Sequence, residues 1–284
     1  MAIHFEKLTY IYDRKLPFAH TALSNIDLDI REGKITAIIG ETGSGKSTLV
    51  QHLNALLIPT AGSVDVCDHH VGANEKNRKL KSLRRDVGLV FQFPEYQLFE
   101  ETILDDVAFG PMRFGLDKKE SYERAREALL SVGIDEGLFQ RNPMELSGGQ
   151  KRRVAIAGIL SFDPKVLVLD EPTAGLDPEG SRRLIDLILD LNRNRKKTII
   201  IVSHDNDMVY SYTDDTVVMQ NGRVSYHGDT LSLFNDSALV EENKLLLPHI
   251  VRFKNLLSSR GFNISSDSRT IEEIANEVSG RIKG

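Results

Sequence analysis

Only one cysteine, Cys67, occurs among the 284 residues. No intrachain disulfide is therefore available, and a reducing cytosol is the expected compartment. Long apolar runs are equally scarce. The longest aliphatic stretches, 166–169 and 199–202, fall far short of the ~18 residues a membrane span requires. The first twenty residues carry His4, Glu6, Lys7, Asp13, Arg14 and Lys15 with no apolar run between them, so no signal peptide is expected. Positive charge is not in excess: 36 Lys and Arg against 41 Asp and Glu leave a formal charge of −5. That balance argues against a broad nucleic-acid surface. The basic clusters 76–85 and 193–197 are not interleaved with aromatics and read as solvated faces. Internal repeats and low-complexity tracts are also missing.

What is present is a composition of 40% hydrophobic and 27% charged residues, the balance of a globular protein. A chain of this length buries roughly three quarters of its unfolded surface without help from disulfides or metals. Short apolar runs alternate with helical segments, which is the α/β signature. Three runs, 35–39, 166–169 and 199–202, are almost continuously aliphatic, as central parallel strands covered on both faces should be. The N-terminal stretches 3–8 and 23–30 alternate instead, with Ile26, Leu28 and Ile30 against Asp27 and Asp29, as an antiparallel strand with one wet face would. Between Ile103 and Asn142 strands stop, and Tyr122, Ala125, Ala128, Leu129 and Val132 fall at helical spacing. A helical insertion over about 95–160 is expected there. Beyond residue 235 the pattern changes again. Ile250, Phe253, Leu256 and Leu257 share one side of a segment opened by Pro248. Thr270 and Glu273 form a capping box ahead of Ile271, Ile274, Ala275, Val278 and Ile282, which share a helical face. The expected division is a domain over 1–234 and a small helical appendage over 235–284.

The chemistry begins at Gly40-Glu41-Thr42-Gly43-Ser44-Gly45-Lys46-Ser47, which fits G-x-x-x-x-G-K-[ST] at every fixed position. It follows the run 35–39 and precedes 48–57, beginning at Thr48 and helix-compatible throughout, which is the context this motif requires. Glycines let the backbone curl so that amide groups point at phosphate oxygens, and the helix behind them adds partial positive charge. Lys46 would reach the β- and γ-phosphates, and the Ser47 hydroxyl would ligate Mg²⁺. A second element is Val166-Leu167-Val168-Leu169-Asp170-Glu171. A buried strand ending in two carboxylates places them at the carboxyl edge of the sheet, beside the phosphate loop. There Asp170 would hold Mg²⁺ through water and Glu171 would polarise the attacking water.

Leu146-Ser147-Gly148-Gly149-Gln150, followed by a helix and placed upstream of Asp170 and Glu171, resembles the signature motif of ABC-type ATPases. The resemblance covers about residues 3–234 and implies a P-loop NTPase fold with a mixed sheet core and an antiparallel N-terminal β subdomain. Gln92, after the run 87–91, matches the Q-loop; 174–177, ending in Asp177, matches the D-loop; His204 matches the switch histidine; Tyr12 resembles the aromatic that stacks on adenine, with Tyr10 competing for that role. By that resemblance Gln92 touches Mg²⁺ or the lytic water, and His204 donates a hydrogen bond to the γ-phosphate. Ser147 and Gly149 form a second anion site, which completes the ATP site of a partner subunit in a head-to-tail pair. Phe91-Gln92-Phe93-Pro94-Glu95-Tyr96-Gln97-Leu98-Phe99 narrows the likeness to the ATPases of energy-coupling factor (ECF) importers, and within them to the second of two paralogues. The implied assembly holds a second ATPase, a transmembrane coupling subunit and a substrate-capturing membrane subunit, with no nucleic acid. This chain would then sit on the cytoplasmic face of the cell membrane and power uptake of vitamins or transition-metal ions. A helix around 94–99 would help receive the coupling subunit, with Glu95 on the contact. A conventional ABC transporter ATPase and a non-transport ABC ATPase stay open as alternatives. Against the latter, the short interval from Lys46 to Asp170 leaves no room for a long coiled coil.

Overall fold

The computed structural model describes residues 3–73, 80–262 and 264–282. The N-terminal half runs β1 (Ile3–Tyr12), β2 (His20–Ile30), β3 (Ile35–Ile39), α1 (Lys46–Gln51), β4 (Ala61–Val66), β5 (His69–Gly72), α2 (Leu80–Asp86) and β6 (Val87–Val90). Helices α3 (Ile103–Phe114), α4 (Lys118–Ser131) and α5 (Gly148–Leu160) follow, then β7 (Val166–Asp170), α6 (Pro178–Arg193) and β8 (Thr198–Val202). The chain closes with α7 (Asn206–Tyr212), β9 (Asp215–Gln220), β10 (Arg223–Asp229), α8 (Thr230–Asn235), α9 (Ser237–Glu242), α10 (His249–Ser259) and α11 (Ile271–Ile282). Among the described residues no helix is long and apolar enough to cross a membrane.

Two sheets organise these elements. Strands β2-β1-β4-β5 form an antiparallel sheet, and β10-β9-β3-β8-β7-β6 form a mixed one. In the second, β6, β7, β8, β3 and β9 run parallel, and β10 returns antiparallel along β9. The continuous aliphatic runs have a direct explanation in the packing. Val166, Val168, Ile200 and Val202 face the small sheet and α1, in a core shared with Phe5, Leu8, Leu23 and Leu49. Their neighbours Leu167, Leu169, Ile199 and Ile201 face the helices on the other side. Each strand side chain therefore leaves water whichever way it points, which removes the polar alternation that a one-sided sheet requires.

The helical core is continuous. Val107 of α3, Leu129 of α4, Val154 of α5 and Leu184 of α6 pack with Ile250, Ile264 and Ile274 from the C-terminal segment. That segment thus seals the same core rather than building its own. Its capping box forms as expected: Glu273 N–H donates to Thr270 Oγ1 at 3.2 Å, and Thr270 N–H donates to Glu273 Oε2 at 3.1 Å. The inward faces differ from the periodicity. In α10, Ile250, Val251 and Lys254 are buried, whereas Phe253 and Leu256 point to solvent. In α11, Ile274 is buried while Ile271 is 70% exposed and Ala275 also faces out; the side chain of Ile282 lies outside the described residues. A polar anchor overrides the apolar stripe here. Lys254 Nζ donates to Tyr210 Oη at 2.9 Å and to the Ser266 carbonyl at 2.7 Å, which fixes the roll of α10 against α7. Of the basic clusters, Arg84 donates to the carbonyls of Asn54 and Ala55, and Lys197 pairs with Asp163 at 2.5 Å. Residues 76–79 of the first cluster lie outside the described residues.

The helix after the phosphate loop is shorter than the expected 48–57. It ends at Gln51, is capped by His52, and is followed by Ala55 at φ 51°. His52 is fully buried, its Nδ1 donates to the Thr48 carbonyl at 2.7 Å, and its ring meets Tyr10 edge-on. Burial pushes its pKa down to about 4. An unfolded chain takes up this proton below about pH 6.5, but the folded one resists it until near pH 4, so acid favours unfolding. The contribution is complete above about pH 6.5 and shrinks by about 3 kcal/mol as the pH falls to about 4. Chemical denaturation of His52→Leu should show a correspondingly flatter acid limb than the parent chain; an identical limb would exclude His52 as its source.

Candidate functional site: two cavities

The phosphate loop leaves β3 through residues whose backbones turn left-handed. Gly40, Gly43 and Gly45 have φ of 139°, 81° and 102°. A Cβ on Gly40 would stand 2.2 Å from the Met219 carbonyl oxygen, and one on Gly45 would stand 2.8 Å from that of Ala22. Neither backbone can yield, so the loop's path requires glycine at both positions. Gly43 has open space on that side, which leaves the mouth of the loop clear. Lys46 Nζ donates to the carbonyls of Gly40 at 2.7 Å and Glu41 at 2.9 Å, so its ammonium is suspended over the loop. Burial lowers its pKa, while Glu171 and Asp170 pull it back up. With α1 only six residues long, anion attraction falls on loop amides and Lys46 more than on a long helix dipole. Ser44 is buried, with its backbone N–H donating to the Glu41 carbonyl and its own carbonyl accepting from Gly222.

The carboxyl edge of the parallel strands supplies the rest. Asp170 ends β7, and burial raises its pKa against the hydrogen bond from Ser47 and the charge of Lys46. Glu171 follows in the left-handed region at φ 50°, its N–H donating to the Val202 carbonyl at 2.9 Å. His204, beyond β8, places Nδ1 2.8 Å from Glu171 Oε1, donating to the carboxylate. Strand β6 ends at Val90, earlier than the run 87–91, so Gln92 sits on an exposed turn.

Tyr12, Thr42, Gly43, Gly45, Lys46, Ser47, Thr48, Gln92, Asp170, Glu171 and His204 line one cavity of about 500 Å³. Tyr12 Oη lies 3.2 Å from Thr48 Oγ1. Tyr10 is packed edge-on between Tyr12 and His52 and does not line the cavity. His20 does line it, since the β1–β2 register sets it opposite Tyr12. Sequence reasoning missed His20, although counting back along the hairpin could have found it. Glu41 and Ser44 border a smaller neighbouring hollow together with Thr42 and Gly43.

Ser147, Gly148, Gly149, Gln150 and Asp177 line a different cavity of about 400 Å³. Ser147 and Gln150 form a reciprocal capping box at the start of α5, and Asp177 caps α6 through the N–H of Gly180 at 2.7 Å. Arg153 and Arg183 border this second cavity; burial, and then the Arg183 charge, lower the Arg153 pKa. Arg183 is paired with Glu179, which also borders the cavity.

Residues 94–99 do not form a full helix. Pro94–Gln97 make one 3₁₀ turn after Phe93, which stands at φ 55°. Tyr96 and Phe99 are exposed. Both oxygens of Glu95 accept from Arg152, at 3.1 and 3.0 Å.

The chemistry of the donor set fits a magnesium–triphosphate. Among the described residues no cluster of three His, Cys, Asp or Glu side chains could hold a metal alone. Mg²⁺ is ordinarily held by one or two protein oxygens together with substrate phosphates and water. Ser47 and Asp170, hydrogen-bonded beside Lys46, are such a pair.

Comparison with known proteins shows the family. The ABC transporter family model matches residues 23–174. The energy-coupling factor transporter ATP-binding protein EcfA2 of Streptococcus pyogenes serotype M5 (strain Manfredo) is 49% identical over 274 residues, covering 96% of this chain and 98% of that protein. EcfA2 of Streptococcus agalactiae serotype Ia is 49% identical over 278 residues, covering 98% of this chain and 99% of that one. Among solved structures, cbiO1 of Clostridium perfringens, part of the ABC transporter complex cbiONQ, superposes with a TM-score of 0.74 at 38% identity. It covers 89% of this chain and 98% of its own. The dimeric post-hydrolysis state of the ATP-binding cassette MJ0796, bound to ADP and Pi, gives 0.71 at 29% identity, covering 80% and 98%. The phosphate loop, the carboxylate-ended strand and the signature helix thus stand in a fold shared along nearly the whole chain, and the chain belongs to the ABC transporter family, among its energy-coupling factor ATP-binding proteins.

Proposed function

We propose that this chain binds and hydrolyses ATP as one of two ATPase subunits that energise an ECF-type importer of vitamins or transition-metal ions. The observation that carries this reading is the separation of two half-sites. The phosphate loop, Asp170, Glu171 and His204 share one cavity, and the signature residues with Asp177 share another. Neither half can surround a nucleotide alone, so a partner ATPase docked head-to-tail completes each.

Within the first half-site the chain's own residues divide the work. Tyr12 offers its ring face to the base, and the amides of 40–48 with Lys46 hold the phosphates. Ser47, Gln92 and Asp170 would hold Mg²⁺, which neutralises charge developing on the β- and γ-phosphates. Glu171 accepts a proton from the attacking water. His204, donating through Nδ1 to that carboxylate, fixes its direction, and as the imidazolium it would also donate from Nε2 to the γ-phosphate. Opposite the partner's phosphate loop, Ser147–Gln150 and Asp177 would supply the closing contacts. The exposed Tyr96, within the 3₁₀ turn, and Phe99, just after it, support a groove for the coupling subunit's cytoplasmic helices. Residues 1–234 would carry the ATPase machinery, and 235–284 would serve pairing or regulation. The chain would be peripheral, on the cytoplasmic face of the membrane.

Tagged chain, purified from detergent-solubilised membranes of its source, should bring down a second ATPase, a coupling subunit and at least one small substrate-capturing membrane protein by mass spectrometry. Recovery with a periplasmic-type binding protein's permease, or with soluble proteins alone, would overturn the ECF assignment.

A further inference from the structure

Arg152 lies one turn into α5 and is 2% exposed, the most deeply buried cation among the described residues. Its guanidinium is shared between two other segments. Nε and Nη2 donate to the Glu95 carboxylate, while Nη1 donates to the carbonyls of Pro172 at 3.1 Å and Ala174 at 2.5 Å. The Phe93 ring stands 5.6 Å from the guanidinium carbon. The same ring lies 3.4 Å from the position a Cβ would occupy on Gly175. One side chain therefore ties together the turn after Gln92, the signature helix, and the segment that leaves Glu171.

The tied segments are strained where they meet the first cavity. Phe93 and Glu171 both hold left-handed backbones, at φ 55° and 50°. Non-glycine residues keep such conformations only when their surroundings over-determine them. Phe93 directly follows Gln92, and Pro172 directly follows Glu171, so Arg152 restrains both strained turns from one point. That point sits on the helix whose N-terminus borders the second cavity.

We propose that Arg152 is a positioning residue for hydrolysis: through Glu95 and the 172–174 carbonyls it holds Gln92 and Glu171 in register with the signature helix. Contact made at the second half-site is thereby carried to the water-polarising carboxylate of the same chain. This rests on the reading of Glu171 given above; failure of that reading would show separately, as a Glu171→Gln subunit with normal turnover.

The test uses the assembled transporter carrying Glu95→Gln, Arg152→Lys, Arg152→Met, or Glu95→Gln with Arg152→Met. Expected are a kcat at least about tenfold lower for each single variant and a KM for ATP within about twofold, because Glu95 and Arg152, although they line the second cavity, spend their hydrogen bonds on each other and on the 172–174 carbonyls, and the phosphate loop is untouched. The double variant should be no slower than Arg152→Met, since the pair acts as a unit. Glu95→Gln is nearly isosteric, and an unchanged rise of its Tm on adding ATP would confirm a folded phosphate site. A lowered Tm with kcat within twofold of the parent, in both Glu95→Gln and Arg152→Lys, would make the network merely structural and overturn the proposal. Parallel loss of ATP binding and kcat would overturn it as well.

Discussion

Glu171→Gln, assayed in the assembled complex, should bind ATP within about twofold of the parent and turn over at least about a hundredfold more slowly, the lower end of what a general base contributes. The substitution keeps the size of the side chain and an oxygen that can accept from His204 Nδ1, 2.8 Å away. What it removes is the capacity to take a proton. Glu171 lines the same cavity as Lys46 and Ser47 but is not among the phosphate-loop groups, so affinity and chemistry separate at this residue. Its backbone, at φ 50° and tied to the Val202 carbonyl, is set by main-chain bonds that the substitution leaves in place. Nucleotide-dependent stabilisation and steady-state ATPase rate, measured on the same preparation, decide the matter. A variant with ordinary turnover would remove Glu171 from the mechanism.

Lys46→Met should do the converse and weaken binding. Its ammonium is suspended by two loop carbonyls, and burial already lowers its pKa, so it occupies a place where an anion is favoured. Replacing it by an apolar chain of similar length removes charge-assisted bonds to phosphate worth about 1.5–3 kcal/mol each, or an affinity loss of about a hundredfold. A nucleotide at a hundred times its Kd stabilises the folded chain by about 2.7 kcal/mol. Scanning calorimetry should therefore show an ATP-dependent rise in Tm for the parent and for Glu171→Gln, and a much smaller one, from about 0.4 kcal/mol, for Lys46→Met. An equal rise in all three would place the phosphates elsewhere.

Much of the architecture is legible along the chain because it is written locally. Residues 35–39, 166–169 and 199–202 are almost continuously aliphatic because both faces of their sheet are covered, and 23–30 alternates because one face of its sheet is wet. Helix α4 follows its spacing of Tyr122, Ala125, Ala128 and Leu129, and the Thr270–Glu273 box forms where three-residue spacing placed it. Where the reading fails, a non-local partner overrides the local pattern. Phe253 and Leu256 face solvent because Lys254 is drawn inward by Tyr210 Oη and the carbonyl of Ser266. Both oxygens of Glu95 are likewise taken by a guanidinium 57 positions along the chain, a partner that no local pattern shows.

By itself the sequence determined which residues could bind phosphate and activate water. Glycines with left-handed backbones, a lysine at the loop's end and a strand closing on two carboxylates are contiguous features, readable from order and spacing. Only the tertiary structure decided how those groups share space. It places the phosphate loop and the signature helix in separate cavities, opposes His20 to Tyr12, and ties Glu95 and the carbonyls of Pro172 and Ala174 to Arg152. The physical reason lies in what each kind of contact depends on. Backbone curl and strand burial follow from neighbours in the chain, whereas the partner of a buried charge is whichever opposite group the packed fold brings within hydrogen-bonding reach.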